Sequence, residues 1–245
     1  MQIQEKEAYK NLGSTSEDCS RFNSTLVLIA ALNEEEGIGL TITEVQKHLI
    51  GPRILVVDGN SDDRTVDVSK DLGADVLFQD GKGKGDALSK GLEYTDEDVD
   101  YLVITDADFT YPAEYLPEMI DVLAKNPNVG MVCGNRFNGN VDDNALRSRF
   151  YLGNKLLCFA HKVLNGVSMK DPLTGLRVVR AALLRGFVFK SKSFDVEVEL
   201  NHLIEQKGYQ IVEVPIQYRK RVGEKKLKMK HGATILKRIL LQAFS

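Results

Sequence analysis

The segment Tyr101-Leu-Val-Ile-Thr-Asp106-Ala107-Asp108 is an apolar run ending in two carboxylates separated by a single alanine. If the run is a strand, its side chains alternate between faces. Asp106 and Asp108 then point the same way at the carboxyl edge, where open α/β sheets bind ligands. Paired hard oxygen donors there suit a divalent cation such as Mg²⁺ or Mn²⁺, which in turn can neutralise a diphosphate. The bland alternative has one aspartate capping a helix that begins near Pro112 and the other solvated.

Three further loops carry polar groups in comparable places. Ala30-Ala31-Leu-Asn33-Glu34-Glu35-Glu36 leads from an apolar run into a helix start, where acids favour the helix dipole, and two of its glutamates are expected to do only that. In Asp58-Gly-Asn-Ser61-Asp62-Asp63, Ser61 fits an N-cap and the last two aspartates fit first-turn acids. That leaves Asp58 without an evident structural task, available to accept hydrogen bonds from a ribose or base. Asp80-Gly-Lys82-Gly-Lys84-Gly85-Asp86 combines glycines, which let the backbone approach a ligand closely, with lysines that bring positive charge. It is neither a P-loop nor the Gly-x-Gly-x-x-Gly that opens a dinucleotide-binding helix, which disfavours a dinucleotide-dependent dehydrogenase.

The elements that must position these loops follow from periodicity. Apolar runs at 25–32, 53–58, 75–79, 101–106 and 129–133 alternate with segments of helical spacing at 38–49, 65–72, 87–94 and 113–124. Alternation of this kind implies right-handed crossovers and an α/β fold, a mostly parallel sheet flanked by helices on both faces. Beyond about Asn138 the pattern loosens into a helical 144–164, the turn-rich Lys170-Asp-Pro-Leu-Thr-Gly175, a helical 196–206 and a strand at 210–218. Residues 1–22 read as a flexible extension, 23–231 as one domain, and 232–245 as an amphipathic helix.

With 245 residues, 43% of them hydrophobic, the chain can bury one large core, and a net charge of -3 argues against a nucleic-acid binder. No apolar run approaches the roughly 18 to 20 residues of a spanning helix, and the first twenty residues lack the apolar core of a signal peptide, so a cytoplasmic location is expected. Cys19, Cys133 and Cys158 show neither disulfide nor zinc spacing, and the four histidines show no metal-ligand spacing.

Asn33-Glu34-Glu35, Val57-Asp58-Gly-Asn-Ser61, Gly83-Lys84-Gly85 and Asp106-Ala107-Asp108 follow successive strands in an order that resembles the family 2 glycosyltransferases of GT-A fold. Within them the chain looks most like dolichyl-phosphate mannose and glucose synthases. Downstream, Gly134-Asn-Arg136, Asp171-Pro-Leu-Thr-Gly-Leu-Arg177, Glu213-Val-Pro-Ile216 and Arg221-Val-Gly-Glu-Lys-Lys226 match further elements of that family. The resemblance implies a Rossmann-like GT-A sheet and a Mg²⁺ or Mn²⁺ ion on Asp106 and Asp108. It also implies a nucleotide-sugar site formed by Ala31, Asn33, Glu35, Asp58, Lys84, Asp86 and Ala107 with the two aspartates. Three positions depart from the family: Asp58-Gly-Asn-Ser replaces Asp-Asp-Gly-Ser, Phe109-Thr110 replaces Leu-Gln, and Lys225 replaces a serine. Base recognition is the property these departures touch.

The implied reaction is inverting transfer of a hexose, mannose ahead of glucose, from GDP-mannose or UDP-glucose to dolichyl or polyprenyl phosphate. A phosphate acceptor needs no general base, because a phosphomonoester with a second pKa near 6 is largely dianionic at neutral pH and can attack directly. Asp108, Arg136, Arg221, Lys226 and Glu199 are the expected catalytic residues, with Arg147 or Arg149 as further phosphate partners, for which a solvated surface cation is an equal reading. Asp195 and Glu197 read as helix N-terminal acids. The absence of tryptophan excludes the Gln-x-x-Arg-Trp signature of processive polysaccharide synthases. Ile235, Leu236, Ile239 and Leu240 beside Lys237 and Arg238 suit either an interfacial helix on the cytoplasmic face of a membrane or core packing. Other readings are a GT-A enzyme with a different acceptor, a catalytically silent nucleotide-sugar or membrane-binding module, and a nucleotidyltransferase. The last lacks its basic glycine-rich loop after the first strand.

Overall fold

The apolar runs owe their continuity to burial on both faces. In β1 (Thr25–Ala31), Val27 and Ile29 enter one core while Leu26 and Leu28 enter another, so neither face offers water a polar side chain. The computed structural model describes residues 24–137, 149–223 and 230–243, the side chains of 149–155, 230 and 231 excepted. Its sheet has seven strands in the order β3-β2-β1-β4-β6-β5-β7. β2 (Arg53–Asp58), β3 (Asp75–Phe78) and β4 (Tyr101–Asp106) join β1 in parallel. β5 (Val129–Asn135) pairs in parallel with β7 (Gln210–Pro215).

Between β4 and β5 lies β6 (Arg177–Arg180), antiparallel to both. The sequence reading placed no strand there. Four residues beginning and ending in arginine show no apolar alternation, because Arg177 is itself buried.

Helices α1 (Glu35–His48) and α4 (Leu116–Lys125) cover one face, through Ile38, Ile42, Met119, Ile120 and Leu123. The other face is covered by α3 (Lys84–Glu93) and α6 (Val196–Gln206), through Ala87, Leu88, Leu200 and Ile204. α2 (Thr65–Asp71) links β2 to β3. α5 (Arg149–Asn165) and α7 (Lys230–Gln242) form a smaller cluster in which Leu157, Val198, Ile235 and Ile239 are buried together. Ile235 and Ile239 therefore face protein, leaving Leu240 and Leu241 exposed on α7. α1 and α3 both begin three residues before their apolar spacing does, since their first turns face loops rather than core. The extension at 1–22, Arg147 and Lys226 lie outside the described residues, as does the Arg149 side chain.

Candidate active site

The carboxyl ends of six strands and the amino end of β6 share one edge, and the polar loops collect there. At the tip of β4 the chain turns sharply through Phe109, whose φ is 62°. That turn lets Thr110 donate to Asp108 Oδ1 from its backbone N–H at 3.2 Å and its hydroxyl at 2.6 Å. Gly37 and Gly175 pack against this tip: an added Cβ would lie 2.7 Å from the Ala107 carbonyl oxygen and 2.4 Å from Asp106 Oδ2. Ala107 is buried, its carbonyl oxygen accepting from the Thr41 hydroxyl at 3.3 Å.

Each aspartate meets a cation from elsewhere in the chain. Lys84 Nζ lies 2.6 Å from Asp106 Oδ1, and Arg221 Nη1 donates to Asp108 Oδ2 at 2.6 Å. Arg221 also bridges to Glu34, a glutamate that the sequence reading did not separate from the helix-dipole acids. Arg221 is carried by a strap bonded by backbone to the β4 loop, Arg219 N–H to the Thr110 carbonyl at 3.0 Å and Val222 N–H to that of Asp108 at 3.1 Å. Arg219 is anchored by a bidentate pair with Glu44, at 2.8 and 2.6 Å, and lies over the Phe109 ring at 4.6 Å. Burial raises the Asp108 pKa and the charge of Asp106 adds to it, against the opposing Thr110 hydrogen bond and Arg221 charge.

The first two loops are laced together. Asp58 is fully buried and accepts from Ser61 N–H at 2.8 Å and Ser61 Oγ at 2.5 Å, while Ser61 Oγ accepts from Asn33 N–H at 2.8 Å. Two expectations are corrected here. Asp58 has a structural task, and Ser61 does not cap the helix: Arg64 stands at the N-cap without a side-chain cap bond, and Asp63 just before it accepts from Thr65 N–H at 2.9 Å. Asn33 Oδ1 accepts from Asp62 N–H at 2.8 Å, and Glu35 Oε2 from Arg64 N–H at 3.1 Å. Asn33 and Glu35 are exposed at the edge, whereas Ala31 is buried beneath it with its carbonyl bonded to Gly59 N–H at 2.8 Å.

The glycines of the third loop serve a different purpose from the one their spacing suggested. A Cβ at Gly83 would sit 2.3 Å from the Lys192 carbonyl oxygen, and one at Gly85 2.2 Å from that of Ser191. They admit protein backbone, not a ligand. Asp86 closes the loop by accepting from Gly81 N–H at 2.7 Å. Glu199, expected to be catalytic, instead fixes the opposing segment, its two oxygens accepting from Lys190 N–H at 2.9 Å and Ser191 N–H at 2.7 Å. The acid that reaches the site is Glu197, 2.8 Å from Lys84 Nζ. Asp195 pairs with Arg238 of α7 at 3.0 Å. Every residue of Val196-Glu-Val-Glu-Leu200 is buried, so its two acids require partners.

On the far side of β4, Arg136 donates from Nε at 2.6 Å and Nη2 at 2.7 Å to Asp171, which is fully buried. Glu213 holds the Lys170 and Asp171 amides at 2.8 and 2.7 Å. One edge of the Arg136 guanidinium thus belongs to Asp171, and its face lies 5.4 Å from the Tyr218 ring centroid. Arg177 is fully buried and meets no carboxylate among the described residues; it donates to the Thr174 and Pro172 carbonyls at 3.0 and 2.8 Å and to Asn201 at 2.5 Å, which shapes the Asp171–Gly175 turn.

The family model for glycosyl transferase family 2 matches residues 26–186, and this chain belongs to that family. It is 34% identical over 207 residues, covering 84% of this chain and 87% of the relative, to a dolichyl-phosphate hexose transferase of Haloferax volcanii. Glycosyltransferase AglJ of the same organism is 28% identical over 80% of this chain and 63% of its own length. Among solved structures, glucosyl-3-phosphoglycerate synthase from Mycobacterium tuberculosis in complex with UDP has a TM-score of 0.74 at 21% identity, covering 95% of this chain and 85% of that one. The same enzyme with Mn²⁺, UDP and phosphoglyceric acid has a TM-score of 0.73 at 20% identity, over 94% and 83% of the two chains. The fold is GT-A-like, and the chain is of an enzyme class that transfers sugars.

Proposed function

We propose that this protein transfers a hexose, with inversion, from a nucleoside-diphosphate sugar to dolichyl or polyprenyl phosphate. The carrying observation is the pair Asp106 and Asp108 at the tip of β4, with Arg221 brought onto Asp108 by a strap from the other half of the sheet. The similarity to the Haloferax transferase supports the acceptor class.

Asn33, Glu35 and Asp58 border the nucleoside side of this edge; Lys84, Asp86 and the β4 tip border its diphosphate side. The two aspartates fit a hard divalent ion: they offer oxygen donors only, and burial beside a like charge raises the Asp108 pKa, a repulsion that a cation relieves. Among the described residues no group of three or more histidines, cysteines or acids forms a complete metal site, so the diphosphate and water would fill the remaining positions. Mg²⁺ or Mn²⁺ on Asp106 and Asp108 would neutralise the departing diphosphate. In the reaction an acceptor phosphate oxygen bonds to the anomeric carbon as the bond from that carbon to the diphosphate breaks. Arg221, Arg136 through its free edge, and Lys226 supply cationic donors to orient that phosphate. No helix among the described residues is long and apolar enough to cross a membrane. Leu156, Phe159 and Val163 are exposed at helical spacing along α5, which supports peripheral docking where a lipid-linked acceptor resides.

The test is incubation of the full chain with GDP-mannose or UDP-glucose, a short dolichyl phosphate and Mn²⁺, with EDTA and Asp108→Ala controls. The expected product is a lipid-linked monophosphate sugar from one donor, lost in both controls. Donor binding without transfer to the lipid phosphate would overturn the acceptor, and transfer that survives Asp108→Ala would overturn the site.

A further inference from the structure

Lys84 lies between two carboxylates, 2.6 Å from Asp106 and 2.8 Å from Glu197. The three are arranged by depth. The Asp106 side chain is 32% exposed, whereas those of Lys84 and Glu197 are 8% and 7% exposed. Burial opposes the Lys84 ammonium, but the charges of Asp106 and Glu197 outweigh it and raise its pKa above the ordinary lysine value, so it is a fixed positive charge. Glu197 Oε2 is buried and has no hydrogen-bond partner among the described residues. Gly83 and Gly85 seat the backbone on either side of Lys84 against residues 191–193, which fixes the point from which its side chain reaches the two carboxylates.

We infer that Glu197 is a positioning residue for Asp106, acting through Lys84. If Asp106 is to bind a divalent cation, it must loosen its ion pair with Lys84, and an unpaired buried ammonium would oppose that step. Glu197, with one oxygen already on the ammonium and the other unpartnered beside it, takes over the charge and frees Asp106. This rests on the metal reading of Asp106 and Asp108 proposed above, and it assigns a task to a glutamate that shares a helix turn with the more prominent Glu199.

The experiment is Mn²⁺ titration of the full chain with GDP or UDP present to complete the coordination, each titration referenced to the nucleotide alone, followed by loss of the free-ion electron paramagnetic resonance signal, with thermal melts of each sample. Glu197→Gln removes the second carboxylate and should weaken Mn²⁺ binding about tenfold or more, the usual scale for a residue supporting a metal ligand. Glu197→Asp, which keeps the charge but withdraws it by one methylene, should be intermediate; a purely long-range charge effect would leave it like the parent. The double variant Lys84→Met with Glu197→Gln removes the competing ammonium as well and should recover toward parental affinity. Because the double variant carries no buried unpaired charge, it tests the idea even if Glu197→Gln folds poorly. Parental binding in Glu197→Gln, or no recovery in the double variant, overturns the inference while leaving the metal site intact. A parent that binds no Mn²⁺ overturns the metal reading and the inference with it.

Discussion

Asp171→Asn isolates the work of one buried ion pair. Asp171 receives Arg136 through Nε at 2.6 Å, Nη2 at 2.7 Å and the Arg136 backbone N–H at 3.1 Å. Asparagine preserves the shape and one acceptor, but turns the other into an NH₂ facing a donor and leaves the guanidinium charge without a counterion. Removing one partner from a buried pair costs about 3–5 kcal/mol. The Arg136 side chain is 21% exposed and lies against the Phe137 and Tyr218 rings, so partial solvation and cation–π contact place the expectation near the lower end, about 3 kcal/mol. Urea denaturation of Asp171→Asn, Arg136→Met and the double variant measures it. The double variant should lose less than the sum of the singles, with a coupling of about 2 kcal/mol. A loss below about 1 kcal/mol in Asp171→Asn with additive behaviour in the cycle would refute the reasoning.

Gly85→Ala places a Cβ 2.2 Å from a backbone oxygen; no side-chain rotation relieves that, so overpacking of about 1–3 kcal/mol should outweigh the ~1 kcal/mol gain in helix propensity. Gly232→Ala, with nothing within 4 Å among the described residues, should be neutral or stabilising by the same denaturation assay, and equal effects at the two sites would contradict the packing account. His161 is fully buried and burial, with smaller contributions from His202 and Arg177, lowers its pKa to about 4. Its folded-state pKa lies below the unfolded value near 6.5, so the unfolded chain binds the proton first; stability is full above about pH 6.5 and falls as pH drops toward 4, by about 2 kcal/mol at pH 5. His161→Leu should show a shallower acid limb than the parent, and an identical limb would remove His161 as its source.

The parallel half of the sheet was legible because strands buried on both faces are written as unbroken apolar runs, as in Leu26–Ala31 and Leu102–Ile104. β6 was not, since its pairing replaces hydrophobicity with Arg177 held by carbonyls and Asn201. The site's carboxylates could be read from Asp106-Ala-Asp108, and the family resemblance named Lys84 and Arg221, but not their pairing with the aspartates, which lie 22 and 113 residues away in sequence. The exchange of roles between Glu199 and Glu197 follows from helix geometry. Residues two apart on a helix point to different sides, and only the packing of the Lys190–Ser193 segment decides which side holds the loop and which holds Lys84.

Because β6 runs against its neighbours, the chain leaves the site edge after β5 and returns to the same edge to enter β6. The ends of that excursion are joined by Gly134 N–H and the Leu176 carbonyl at 3.0 Å. Loop closure grows only slowly more costly with length, so strand register does not dictate the length of this excursion, although α5 and the Asp171–Gly175 turn within it are held by their own contacts with α6, α7, the sheet and the β4 tip. The four consecutive parallel strands have no such latitude, their loops being tied to one another and to the β4 tip. One half of the cleft is thus walled by an excursion whose length the strand register does not set, the other by loops whose length it does.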